Sequence, residues 1–365
     1  MGLTAGIIGL PNVGKSTLFN AITKAHVLSA NYPFATIEPN VGLVEIRDER
    51  LIKIVEIVKP RNVVFASVSF TDIAGLVKGA SKGEGLGNQF LSHIREVDAI
   101  CQVVRCFNNT DIIHVNGKID PIDDIETINL ELTFADLEVI EKRLPKIEKK
   151  AQLKIDSESE LEYGALKKAK SALEKGISLR NHSFSDEEKV LLKGYNFLTL
   201  KPMIYVLNVN EDEVSSDNEY VTKVKEHVET SQTKTVVISA KIEEEICELE
   251  DEDRALFLAE LGISESGLDK LVKQTYDLLG LATYFTAGEK EAKAWTFKKG
   301  MKAPECAGII HTDFEKGFIR AEIIAYDDFI KCGGLQKAKE AGKMRSEGKE
   351  YLFKDGDIAL FRFNV

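Results

Sequence analysis

Gly9-Leu10-Pro11-Asn12-Val13-Gly14-Lys15-Ser16-Thr17 is the stretch that decides the fold. Its spacing fits G-x-x-x-x-G-K-[ST]. The apolar run 3–8 leads into it, and residues 15–24 follow with Leu18, Phe19 and Ile22 on one helical face. The order is therefore strand, glycine loop, helix. Glycines let backbone N–H groups turn inward around phosphate oxygens, and the helix points its positive end at the same anion. Lys15 is expected to reach the β- and γ-phosphates as the catalytic cation, and Ser16 to set its hydroxyl on Mg²⁺.

Further strand-like runs lie at 41–46, 63–70, 99–104, 203–207 and 235–238, most of them separated by helical patterns. Short buried strands alternating with helices predict an α/β sheet, much of it parallel. Asp72-Ile-Ala-Gly75 follows the second of these runs. There Asp72 would sit near the Mg²⁺ and the Gly75 N–H near the γ-phosphate. Gly79, Gly83, Gly85 and Gly87 come next, a density suited to a segment that orders around the γ-phosphate. Thr36 is the candidate for the other switch ligand to Mg²⁺. Asn208-Val209-Asn210-Glu211 stands directly after the run 203–207, in the position of a base-recognition loop. The guanine reader there is Asn-Lys-x-Asp, but Val209 replaces Lys and Glu211 replaces Asp. A longer carboxylate is displaced from the position that accepts two guanine N–H bonds, which argues against guanine. Ser239 and Ala240, followed by Lys241, fit the last base-contacting loop, where backbone groups do the work.

Residues 129–200 break the alternation. Leu130, Phe134, Leu137, Ile140, Leu144, Ile147 and Ala151 recur at heptad-like steps. Ala165, Ala169, Ala172 and Leu173 supply the facing stripe of a second helix, so an antiparallel, coiled-coil-like arm is expected. A first helix of about 24 residues would reach roughly 36 Å. Ser185-Asp-Glu-Glu188 is a capping box that opens a third helix. From about residue 281 short β-type runs appear at 295–297, 307–311, 318–324, 351–353 and 358–363, with a polar, mobile-looking stretch at 337–343. They predict a small α+β module. The expected domains are 1–128 with 201–280 for the nucleotide, 129–200 for the arm and 281–365 for the last module.

Across its 365 residues the chain carries a formal charge of −11, which speaks against a general coat for nucleic acid. The imbalance is local: residues 201–280 hold 8 Lys/Arg against 19 Asp/Glu, while 129–200 hold 13 of each. The acidic stretch 243–253 reads as a solvated face. Lys290, Lys293, Lys298, Lys299 and Lys302 surround Trp295 and Phe297, which suits phosphate contact with stacking. RNA contact is thus expected through the last module and the arm, not through 201–280. No run is long enough to span a membrane, and the N-terminal stretch lacks a signal-peptide pattern. Five scattered cysteines make no disulfide framework. A cytoplasmic location is expected.

Taken in order, residues 9–17, 33–40, 72–90, 105–107 through His114 and Asp120-Pro121, 208–211 and the last module resemble the YchF/Obg-like ATPase subfamily of translation-factor-related P-loop NTPases. The resemblance spans nearly the whole chain. It implies a Ras-like nucleotide domain, an inserted coiled-coil arm and a TGS-type β-grasp domain. It also implies ATP in preference to GTP, through the N-x-x-E loop, and association with the ribosome. Asn12, Val13, Gly14, Lys15, Ser16, Thr17, Gly75, Asn208, Val209, Glu211, Ser239 and Ala240 are the expected nucleotide-binding positions. Asn12 further matches a position that ligates K⁺ in related enzymes. Leu76 stands where Ras-like enzymes keep glutamine, and an apolar side chain orients no water, so slow intrinsic turnover is expected. His114, in the polar loop 108–120, is the candidate to place that water. A GTPase on the same frame, or an RNA-binding module with structural nucleotide, are the rival expectations.

Overall fold

The computed structural model describes residues 3–28, 40–74, 86–109, 119–153, 157–229, 231 and 233–364. Contacts divide the chain into two compact units, one of Met1–Leu43 with Ser69–Leu271 and one of Val44–Val68 with Val272–Val365.

Seven strands come before the last module: β1 (Thr4–Gly9), β2 (Val41–Ile46), β3 (Asn62–Val64), β4 (Ala66–Asp72), β5 (Ala99–Arg105), β6 (Met203–Asn208) and β7 (Lys234–Ile238). Six of them form one sheet in the order β2-β4-β1-β5-β6-β7. From β4 across to β7 the pairings are parallel. Burial explains the near-continuous apolar runs: every residue of β5 and β6 is buried, as a parallel strand covered on both faces requires. The α/β expectation holds. One strand differs from the reading, because the run 63–70 is two strands broken at Phe65. β3 pairs with the later strand Glu291–Lys298, and only β4 enters the first sheet. Residues 44–68 accordingly group with the C-terminal unit and not with the rest of 1–128.

The arm opens with a helix of 32 residues, Pro121–Gln152, longer than expected at its start. Asp120 caps it and Pro121 occupies its first turn, where a missing N–H costs nothing. Its length is roughly 48 Å. The helix Ser157–Glu174 runs back along it, shown by Lys170 against Glu141 and Tyr163 against Glu148. Ile140, Ile147, Ala165, Leu166, Ala169, Ala172 and Leu173 share one core. The predicted seam is correct only in this half. Leu130 and Phe134 are 51% and 52% exposed, while Ile125, Ile128, Leu132 and Ala135 are buried instead. The first half of the helix turns a different face inward because it packs near β5 and the helix Glu219–Val228, not against its hairpin partner. Asp136, fully buried, accepts from the Leu198 and Thr199 N–H groups and from the Thr199 hydroxyl, which fixes the helix to the turn Leu198–Leu200. The Ser185/Glu188 capping box is present as read.

In the C-terminal unit β8 (Leu281–Ala287), β9 (Glu291–Lys298), β10 (Phe318–Ala325), β11 (Arg345–Glu347) and β12 (Asp357–Phe363) form a second sheet, ordered β11-β10-β12-β8-β9-β3. β8 and β9 are an antiparallel hairpin, and β12 lies parallel to β8. First and last strands side by side, with the helix Ala303–Ile310 between in sequence, is the β-grasp arrangement. The run 307–311 is therefore helix, not strand. Pro304 and Glu305, whose carboxylate accepts from the Lys302 N–H at 2.7 Å, start it, and a short apolar run carries no period that separates the two. Residues 351–353 form only an isolated bridge through Leu352, and 337–343 begins inside the helix Leu335–Glu340. Tyr284, Phe297, Phe353 and Phe361 fill the core on the helix side, with Tyr284 and Phe353 centroids 5.1 Å apart in an edge-to-face contact.

Candidate functional site

Five segments converge at the carboxyl ends of adjacent parallel strands, where open α/β sheets bind ligands. They are the loops after β1, β5, β6 and β7 and the end of β4 itself, at Asp72. The loop after β1 turns through Asn12 at φ 63° and Gly14 at φ 91°, both in the left-handed region. The helix Lys15–Leu28 then begins, and its first turn carries no acidic residue to compete for an anion. A cleft of about 990 Å³ opens there, lined by Asn12, Gly14, Lys15, Ser16 and Thr17 at one end and Asn208, Val209, Glu211, Ser239 and Ala240 at the other. Ten of the sequence-predicted positions thus share one cavity, and Val13 lies beneath it at 1% exposure.

At the phosphate end the Lys15 ammonium is ion-paired to the Asp72 carboxylate. Asp72 ends β4 in register with Ile7 of the neighbouring β1, which brings it to the loop across one strand spacing. Ser16 and Asp72 offer a hydroxyl and a carboxylate, hard oxygen donors of the kind Mg²⁺ takes with phosphate and water. They fit that ion. No cluster of three His, Cys, Asp or Glu residues exists among the described residues, so a cage of protein ligands alone is not built here. Thr36, Gly75 and His114 lie outside the described residues.

Asn208 has a task the sequence did not reveal. It is 5% exposed. Its amide Nδ2 donates to the Val13 carbonyl at 2.9 Å, and its Oδ1 accepts from the Ala240 N–H at 2.9 Å. One side chain therefore ties the phosphate loop to the loop after β7. Gly14 makes room for it, since a Cβ there would stand 2.1 Å from Asn208 Nδ2. Buried polar groups find partners, and an asparagine ending a buried strand was the one signal available.

At the other end Val209 is buried, and its N–H continues the ladder onto Ile238 at 2.9 Å. Glu211 starts the short turn Glu211–Glu213 and pairs with Lys241 at 2.5 Å. That contact raises the Lys241 pKa. Glu244 lines the same end and pairs with Lys24 at 3.1 Å. Phe107 and Asn109 also line the cleft. Arg105 is fully buried, donates to the Phe107 and Asn109 carbonyls, and lays its guanidinium 4.7 Å from the Phe107 ring centre. Desolvation lowers its pKa.

The acidic stretch 243–253 is not wholly a solvated face. Glu243 is 2% exposed and accepts from the Gly267 N–H at 2.8 Å, and burial pushes its carboxyl up to about 7. In the C-terminal unit the Lys293 ammonium lies 3.8 Å from the Trp295 ring centre, and the indole N–H donates to Thr286. One face of the indole is thus capped by the chain's own lysine. Cys101, Cys106 and Cys306 are buried thiols, and none of the five cysteines is bridged. No helix among the described residues is long and apolar enough to cross a membrane.

Residues 4–142 match a family described as 50S ribosome-binding GTPase, and residues 281–364 match YchF-GTPase_C, described as a protein of unknown function. The chain is 61% identical over 367 residues to the ribosome-binding ATPase YchF of Bacillus subtilis (strain 168), covering 100% of both. It is 53% identical over 365 residues to that of Escherichia coli O157:H7, again covering 100% of both. The structure of the Schizosaccharomyces pombe YchF GTPase superposes with a TM-score of 0.91 at 41% identity, covering 99% of this chain and 97% of that one.

Proposed function

The chain belongs to the YchF family, and from that premise we propose that it is an ATP-binding, slowly ATP-hydrolysing switch that associates with the ribosome in the cytoplasm. The observation that carries the reading is the single cleft that joins the loop after β1 to the loops after β6 and β7. A nucleoside triphosphate needs that combination: backbone donors for phosphate at one end and a shaped slot for a base at the other.

In this reading the N–H groups of the loop 12–17 and of Gly75 hold phosphate oxygens, and Lys15 neutralises charge that develops as the γ-phosphoryl group departs. Ser16, Asp72 and Thr36 would hold Mg²⁺, which would supply positive charge beside the phosphates. With the metal bound, Asp72 would hold it in place of Lys15, and the Lys15 ammonium would be available to phosphate. Asn12 offers a carbonyl oxygen for K⁺, which would supply positive charge where other enzymes insert an arginine. His114 places the attacking water. The arm and the lysines near β9 face the ribosome, with Lys290, Lys293 and Lys298 meeting RNA phosphate. A GTPase on the same frame is the second reading, supported by the description of the family matched over residues 4–142.

Titration of the purified protein with ATP and with GTP decides between them. ATP should bind tighter, and equal or tighter GTP binding rejects the ATP reading. Turnover at saturating Mg·ATP should rise when K⁺ replaces Na⁺ and rise again with ribosomes. No hydrolysis in either salt, with ribosomes present, would leave only a non-catalytic binding module. His114→Ala should keep nucleotide affinity and lower turnover.

A further inference from the structure

We propose that Lys241 sets base specificity by occupying Glu211, so that among the described residues no carboxylate at the base end of the cleft is free to receive guanine. This rests on the ATP reading of the same site and deepens it.

Guanine presents two adjacent donors, its ring N1–H and its exocyclic amine. A pocket selects guanine by offering both to one free carboxylate. Among the described residues the carboxylates lining the cleft are Glu211 and Glu244. Both are engaged: Glu211 with Lys241 at 2.5 Å and Glu244 with Lys24 at 3.1 Å. Guanine would have to displace an ammonium before it could use Glu211. Adenine has an acceptor at N1 and a donor at its amine, and a neutral Lys–Glu pair offers one donor and one acceptor back.

The pairing is preset by the frame. Lys241 is the second residue of the helix Ala240–Ile246, whose first N–H is held by Asn208. Glu211 comes three residues after Asn208, in a turn whose leading Asn210 N–H is capped by Glu213 at 3.2 Å. Asn208 thus fixes both backbones that carry the pair. Val209, where the guanine reader carries lysine, is buried and brings no charge to that end of the cleft. Lys241 and Lys15 are the cations that line the cleft, and Lys15 belongs to the phosphate end. Both members of the pair remain partly exposed, at 67% and 46%, so the contact adds little to folding. Its effect is on what binds, because a nucleotide in the cleft removes the water that screens it.

The test compares dissociation constants for ATP and GTP in the wild type, Lys241→Met, Glu211→Gln and the double variant, each checked for an unchanged melting temperature. Lys241→Met releases the carboxylate and should tighten GTP roughly tenfold, the low end of what a base-edge contact is worth because the longer side chain is displaced, while ATP weakens or stays level. In the double variant that gain should vanish, because the acceptor pair is gone. An unchanged GTP-to-ATP ratio in Lys241→Met overturns the proposal, and so does a gain that survives Glu211→Gln. The wild-type ratio judges the ATP reading and the change in ratio judges Lys241, so the two fail separately.

Discussion

Asn208→Ala separates a frame residue from a ligand contact. The side chain is 5% exposed and makes two 2.9 Å bonds, to the Val13 carbonyl and from the Ala240 N–H. Alanine leaves both backbone groups without a partner in a closed interior. Each orphaned buried group costs ~1–3 kcal/mol, so the nucleotide-free protein should lose ~2–5 kcal/mol of unfolding free energy. Urea unfolding of the nucleotide-free protein, followed by far-ultraviolet circular dichroism, reads that loss directly. ATP affinity should fall as well, because Val13 no longer holds the loop at its shape. Asn208→Asp makes the complementary test: it keeps an acceptor for Ala240 but sets a carboxylate oxygen against the Val13 carbonyl, and it too should be less stable. The reasoning is refuted if Asn208→Ala loses nucleotide binding while its unfolding free energy without nucleotide stays within ~0.5 kcal/mol of wild type, a shift typical of surface changes. Asn208 would then touch the nucleotide and leave the frame alone.

Gly14→Ala meets Asn208 Nδ2 at 2.1 Å from a residue at φ 91°, so it should abolish ATP binding in a titration that still detects wild-type affinity. Glu243 has its folded pKa raised to about 7, so the folded state holds its proton where the unfolded chain has released it. Stability should fall as pH rises from the ordinary carboxyl value through 7, then level off, by up to ~3 kcal/mol, and urea midpoints at pH 5 and pH 8 should show this slope reduced in Glu243→Gln. Asp136→Ala strands the Leu198 and Thr199 N–H groups and the Thr199 hydroxyl, costing ~3–5 kcal/mol by urea unfolding and opening the 198–200 turn to protease.

What could be read from the chain is what local chemistry writes into it. The loop 9–17 declares itself because phosphate needs glycines, a lysine and a helix start at fixed spacing. β5 and β6 show as apolar runs because a parallel sheet buries them on both faces. The misreadings have a common physical source, partners distant in sequence. Nothing local says that 63–70 breaks at Phe65, since the break exists because β3 pairs with residues 291–293. Leu130 and Phe134 keep the heptad step yet stay exposed, since the inward face is chosen by whatever packs against that half of the helix. Glu243 sits in an acidic run that reads as solvated, and only the Gly267 N–H waiting for it explains why it turns inward. The Lys24 and Lys241 contacts at the cleft are of the same kind.

In the proposed function this division separates the phosphate end of the cleft from its base end. Phosphate would be held by backbone groups and Lys15, whose placement follows from strand order and from the Asn208 clamp. The base end is dressed by side chains beyond that clamp, Val209, Glu211 and Lys241, none of which bonds the loop 9–17. Exchanging them alters which purine edge is met without moving a phosphate donor. Selectivity can therefore change by a few residues while Gly14 and Asn208 cannot, because those two are pressed against each other at the centre of the frame.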